Sequence, residues 1–202
     1  MPEGLDVIRL SSLLYEFKHI TFYGFTESMN ALECFRGHKD EILRLWTEAV
    51  YATCPLETTG FPRTLNDPFG NPAGDMTREA ALAVYNAVAG EDVTVENIKN
   101  ALERFVRLRA VQKGTPGQSI GVFYLMKPIL RERLLPRLTA MDEVDAYLAA
   151  ESRLDSLTLL AFDMYIEARE TVAESRIKEI RNQYAQLARW ARTLKAHPPA
   201  AS

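Results

Sequence analysis

The chain has little from which to build catalytic chemistry. It has only three histidines, His19, His38 and His197, and none lies three or four residues from another or within an HExxH motif, so a zinc site has no helical ligand pair to start from. Its two cysteines, Cys34 and Cys54, lack CxxC spacing. That excludes a disulfide framework or a four-thiolate zinc site within one chain and fits a reducing, cytoplasmic setting. Glycine-rich phosphate loops of the GxGxxG and GxxxxGK[ST] types are absent, as is the GxSxG nucleophile elbow, which removes dinucleotide, P-loop and α/β-hydrolase readings. Carboxylates are present at Glu151, Asp155, Asp163, Glu167 and Glu170, but the Glu-x-x-His pairs of di-iron bundles are not. Those residues read instead as a solvated or ion-paired helix face. No catalytic, cofactor-binding or metal-binding residue is therefore assigned.

Two classes of partner are also excluded. A net charge of −3 gives no basic excess to attract nucleic acid. No apolar run approaches the roughly 20 residues that cross a bilayer, so no transmembrane segment is expected, and Glu3 and Asp6 stand where a signal peptide would be basic. Period-two alternation and β-branched runs are missing as well, so the expected fold class is all-α.

What the chain does have is helical periodicity in a length, 202 residues with 47% hydrophobic content, suited to one sizeable domain. Residues 1–28 crowd Phe17, Phe22, Tyr23 and Phe25 around Gly24 without a clean period, and read as an N-terminal extension. A helix is expected from His38 to Cys54, stopped by Pro55. A long proline- and glycine-rich connection follows to Met76, with helix resuming at Thr77 as N-cap and stopping at Gly90. Thr94 caps the next helix, whose apolar face is Ile98, Leu102, Phe105, Val106, Leu108 and Val111, and Gly114 ends it. Thr115-Pro116-Gly117-Gln118 combines a threonine N-cap, proline at the first helical position and glutamine at the third, the signature of a capping box. Pro128 should kink the helix that starts there. From Arg137 to His197 no proline or glycine interrupts the chain, which predicts one very long helix or two pieces. The domain is taken as 29–196, with 197–202 as a tail.

That last stretch carries two apolar stripes. Leu157, Leu160, Met164 and Ala168 read as domain core. Ile177, Ile180, Tyr184, Leu187, Ala191 and Leu194 alternate steps of three and four, the narrow seam of a coiled coil rather than the wider face of a helix lying on a domain. A homodimer through Ile177, Ile180, Tyr184, Leu187 and Leu194 is expected; a helix folding back on its own domain is the alternative.

The turn block containing Asp67, Phe69, Asn71, Pro72 and Gly74, the helix end at Arg109-Ala110-Val111-Gln112, the capped helix after Thr115, and the segment 161–170 with Asp163 and Arg169 together resemble the N-terminal domain family of the RsbT co-antagonists. The resemblance implies a non-haem, globin-like helical dimer serving as the input module of a stress-signalling regulator. In such regulators a phosphorylated STAS domain follows, for which this chain leaves no room. The expectation is therefore a stand-alone sensory or adaptor module with a regulatory protein or an anaerobic redox complex as partner. The alternative is a globin-like carrier of a small ligand; haem fits less well, because no histidine lies between His38 and His197. Within the turn block, Phe69 is expected to pack into the core and Asn71 to satisfy backbone groups of its own turn. Arg109 and Gln112 are expected to tie their helix end to that block or to the C-terminal helix.

Overall fold

The computed structural model describes residues 29–53, 71–91, 93–112 and 114–196. The N-terminal extension, Cys54, the turn-block residues Asp67 and Phe69, and the tail lie outside the described residues. All regular structure among the described residues is helical. It comprises α1 (Met29–Ala52), α2 (Pro72–Ala89), α3 (Val95–Val111), α4 (Pro116–Ile120), α5 (Met126–Arg133) and α6 (Met141–Ala196), with 3-10 turns at Gly121–Leu125 and Leu135–Arg137.

Local chemistry sets most of the boundaries. Thr94 accepts the Asn97 N–H and starts α3. Thr115 accepts from the Gln118 backbone while the Gln118 side chain accepts from Thr115 N, closing the capping box of α4. Gly90 ends α2 with φ of 75°, in the left-handed region where glycine alone is unstrained.

Four expectations need correction. Helix α1 starts at Met29, well before His38, because Ala31 and Phe35 extend the buried stripe of Ile42, Trp46 and Val50 backwards by about three turns. Helix α2 starts at Pro72 and not at Thr77. Asn71 supplies the cap and Pro72 the first position, and Thr77 lies inside the helix with its hydroxyl donating to the Ala73 carbonyl at 2.8 Å. Val111, placed on the apolar face of α3, is 58% exposed, and α3 is capped at Gln112 before Gly114 is reached. Pro128 does not bend a continuous helix. It occupies the third position of α5, where an amide has no intrahelical partner to lose. Its ring crowds the preceding turn, and there the chain winds as 3-10 over Gly121–Leu125.

The core lies among α1, α2, α3 and the first half of α6. Trp46, Phe105 and Phe123 form its aromatic centre, with Trp46 and Phe123 stacked at 5.8 Å and Phe105 edge-on to Phe123 at 5.5 Å. The Trp46 indole N–H donates to the Val122 carbonyl at 2.8 Å, so this large side chain is buried without an orphaned donor.

The stretch after Arg137 forms one helix of 56 residues, roughly 84 Å long at 1.5 Å per residue. Its start is fixed by Glu143, whose carboxylate accepts the backbone N–H of Thr139 at 2.7 Å and of Ala140 at 2.9 Å, together with the Asn30 amide at 2.6 Å. These donors hold the Glu143 carboxyl below its usual range, the Ala140 N–H contributing most. Leu157, Leu160 and Met164 are buried as core, with Ala168 packed partly against it.

Candidate functional site

The described residues singled out in the sequence occupy two places: polar junctions that hold helix ends together, and the outer surface of α6. At the first junction the Asn71 side chain accepts the Gly74 N–H at 2.8 Å. The amide packs so closely over Gly74 that any Cβ there would run into it. Asn71, Pro72 and Gly74 thus form one unit that starts α2.

The second junction is Arg109, buried at the end of α3. Its guanidinium donates to the carbonyls of Ser119 at 3.3 Å and Gln118 at 3.0 Å, to the Gln112 side chain at 3.3 Å, and to the Thr53 hydroxyl at 3.3 Å. Arg109 and Gln112 therefore join the end of α3 to the end of α1 and the first turn of α4. The tie to the C-terminal helix comes instead from Arg169, which donates to the Ala110 carbonyl at 2.9 Å, and from Ser119, whose hydroxyl meets the Tyr165 hydroxyl at 3.3 Å in the core. Thr115 caps α4 beside this junction, whereas Asp163 is exposed on the outside of α6.

Two ionisable groups missed in the sequence, Arg153 and Tyr147, sit in the interior, and the half-buried Cys34 lies nearer the surface. Arg153 is buried and donates to the Val88 carbonyl at 2.9 Å, with burial lowering its pKa to about 10. Tyr147, pushed up to about 12 chiefly by burial, donates to Glu151 at 2.6 Å. Burial also raises the Cys34 thiol, the reverse of an activated nucleophile. Among the described residues, no group of three or more His, Cys, Asp or Glu side chains is placed to hold a metal ion. Arg153 could have been noticed as a lone cation between Leu154 and the apolar positions of the preceding turn, although its destination at Val88 has no sequence signal.

Where α6 leaves the domain, it and α3 line an open groove of about 620 Å³. Val106, Ala110, Met164, Ala168 and Val172 provide apolar walls, and Lys99, Arg107, Glu103 and Glu167 lie around them. Beyond Val172 every residue from Ala173 to Thr193 is exposed. Ile177 is 50% exposed, Tyr184 70% and Leu187 59%, while Ile180 and Trp190 are similarly open. Leu194 lies on the same helix, its side chain outside the described residues. The extension makes no use of its own domain, which removes the fold-back alternative for the described seam residues.

The RsbT co-antagonist protein rsbRD N-terminal domain model matches residues 40–180, more than half of the chain. The chain belongs to this family. The match takes in the Asn71 and Arg109 junctions and runs past the domain into the exposed part of α6. The rsbRD-type domain here is thus all-helical throughout its described residues, with a long C-terminal helix. No curated protein and no solved structure matches the chain. Among the described residues, no helix is long and apolar enough to cross a membrane.

Proposed function

We propose that this rsbRD-type domain is a non-enzymatic sensory or adaptor module of cytoplasmic signalling that works through protein contacts and self-associates through α6. The supporting observation is the exposed extension. Most helical stability in proteins comes from packing of an apolar face, which this extension lacks within its own domain, and four apolar side chains at coiled-coil spacing, Ile177, Ile180, Tyr184 and Leu187, stand in solvent. A second helix would bury them by knobs-into-holes packing. The family adds the setting, an input domain of stress regulation; a regulatory protein or a redox complex as the downstream partner belongs to the same proposal.

Sedimentation of the wild-type chain at roughly tens of micromolar, a range in which modest specific affinity is visible, is expected to show a dimer. Leu187→Glu should give a monomer in which the helical circular dichroism of the domain persists, because a charge in the seam opposes association without touching the core. A wild-type monomer under these conditions would overturn self-association. The groove at the root of α6 supports a second reading, binding of a small amphipathic molecule between α3 and α6. An absorbance scan of the purified protein and thermal shifts with a fatty-acid and nucleotide panel test it, and a Met164→Trp substitution in the apolar wall should abolish any shift.

A further inference from the structure

We infer that two copies pair antiparallel along α6, the extension of each lying across the domain-borne part of the other. This rests on the self-association proposed above and adds its orientation and register. The first observation is that the seam does not stop where the domain begins. Leu159, Phe162 and Ile166 lie on the part of α6 that packs in the domain, yet they point outward at 61%, 41% and 37% exposure. At 100° per residue they share with Ala173, Ile177, Ile180, Tyr184 and Leu187 an arc of about 80°. The core-facing residues Leu157, Ala161 and Met164 centre well away on the other side of the helix. One apolar stripe therefore runs along the outside of α6 through both halves.

The second observation is charge. Residues 141–172 carry eight acidic and two basic side chains, a net of −6, whereas 173–196 carry two acidic and six basic, a net of +4. Parallel, in-register pairing sets like against like along the whole helix and brings Arg176 beside Arg181 of the partner subunit, the flanking positions that face each other in a parallel coil. Antiparallel pairing lays the basic half of one copy on the acidic half of the other.

The stripe also selects a register. With Ala173 at the crossing, Leu187 of one copy meets Leu159 of the other, Tyr184 meets Phe162, and Ile180 meets Ile166. Leu159, Phe162 and Ile166 are covered at once. On the flank, the exposed Asp163 and the neighbouring Glu167 then face Arg181 of the partner subunit. Glu174 opposes its own counterpart near the crossing, a like-charge contact outweighed by the two symmetric acid–base clusters.

Orientation and association are tested separately. In a Cys34→Ser, Cys54→Ser background, Leu187→Cys and Leu159→Cys chains mixed and oxidised are expected to form a mixed disulfide, while neither cross-links with itself. In this register two copies of position 187 are about 42 Å apart along the axis. A Leu187→Cys homodisulfide, or a sedimenting dimer with no mixed disulfide, overturns the inference; a wild-type monomer overturns the self-association beneath it. Charge reversal gives a second readout that does not depend on a seam substitution. Arg181→Glu should weaken the dimer on the order of tenfold, since the lost contact occurs twice, and Asp163→Arg in the same chain should restore it. Parallel pairing requires the opposite, a tighter dimer for Arg181→Glu because its repulsion by Arg176 is relieved. Raising salt should likewise loosen the antiparallel dimer and tighten a parallel one.

Discussion

Between Met141 and Val172 the long helix packs against α1, α2, α3 and α4, and between Ala173 and Thr193 the same helix buries nothing. The backbone is continuous and both halves are rich in apolar side chains, so helix propensity and hydrophobic content do not separate them. What differs is how far the apolar residues spread around the axis. The first half carries a broad inward face, with Tyr147, Leu154, Leu157 and Tyr165 buried, in addition to the outward stripe. The extension carries the stripe, with Trp190 beside it, and no inward face. A wide face joins a domain core and a narrow one waits for a single helix.

Substitutions in the two halves should expose this contrast directly. The largest effect is expected at Leu157, fully buried on the inward face. Leu157→Ala should cost about 2–5 kcal/mol, the range for a leucine truncated in a packed core, read from urea or thermal unfolding. An unchanged midpoint would mean that the first half of α6 is not core at all. Gly74→Ala comes next: with no space for a Cβ beside the Asn71 amide, the cap of α2 must open, at about 0.5–2 kcal/mol for the lost cap. Asn71→Ala should fall in the same range, and the double variant should cost little more than either, because the two residues form one device.

A smaller, pH-dependent effect is expected at the start of α6. The folded-state pKa of Glu143 is depressed, first by the Ala140 N–H and then by Asn30 and Thr139, so the unfolded chain binds the proton more readily. Its stabilisation is complete above the ordinary carboxylate value of 4.5 and is lost as the pH falls through the lowered one. Wild-type stability should therefore drop more steeply with acidification than that of Glu143→Gln, and parallel curves would show that the carboxylate is not anchored. The smallest effect is expected at the seam. Leu187→Ala, measured where the chain is monomeric, should shift domain stability by no more than about 0.5 kcal/mol, as surface changes do, although the same residue is decisive for pairing.

Parts of this design were legible in the sequence wherever four or five neighbouring residues decide the outcome. Thr94, Thr115 with Gln118, and Gly90 fix helix ends by contacts within one turn, and a chain without proline or glycine from Arg137 onward has no means of stopping. Thr77 misled because threonine serves equally well inside a helix, bonded to the carbonyl four residues back, and only the Asn71–Pro72 start shows which role applies. The early start of α1 was hidden because Ala31 and Phe35 are too few to announce a face before their partner Tyr85, whose hydroxyl donates to the Phe35 carbonyl at 2.6 Å, is known. The outward position of Leu159, Phe162 and Ile166 was unreadable for a different reason. Two apolar faces on one helix look like a single broad one until the domain covers the first.

The Arg169 bond to the Ala110 carbonyl sits close to the place where α6 parts from its domain, and it acts as the fulcrum of a lever. From there the helix continues for some 27 residues, about 40 Å, so that a tilt of about 5° at the fulcrum displaces the far end sideways by about 3.5 Å. A tilt small enough to leave the packing of Ala110 and Met164 in place would thus be read out as a sideways shift of the exposed seam.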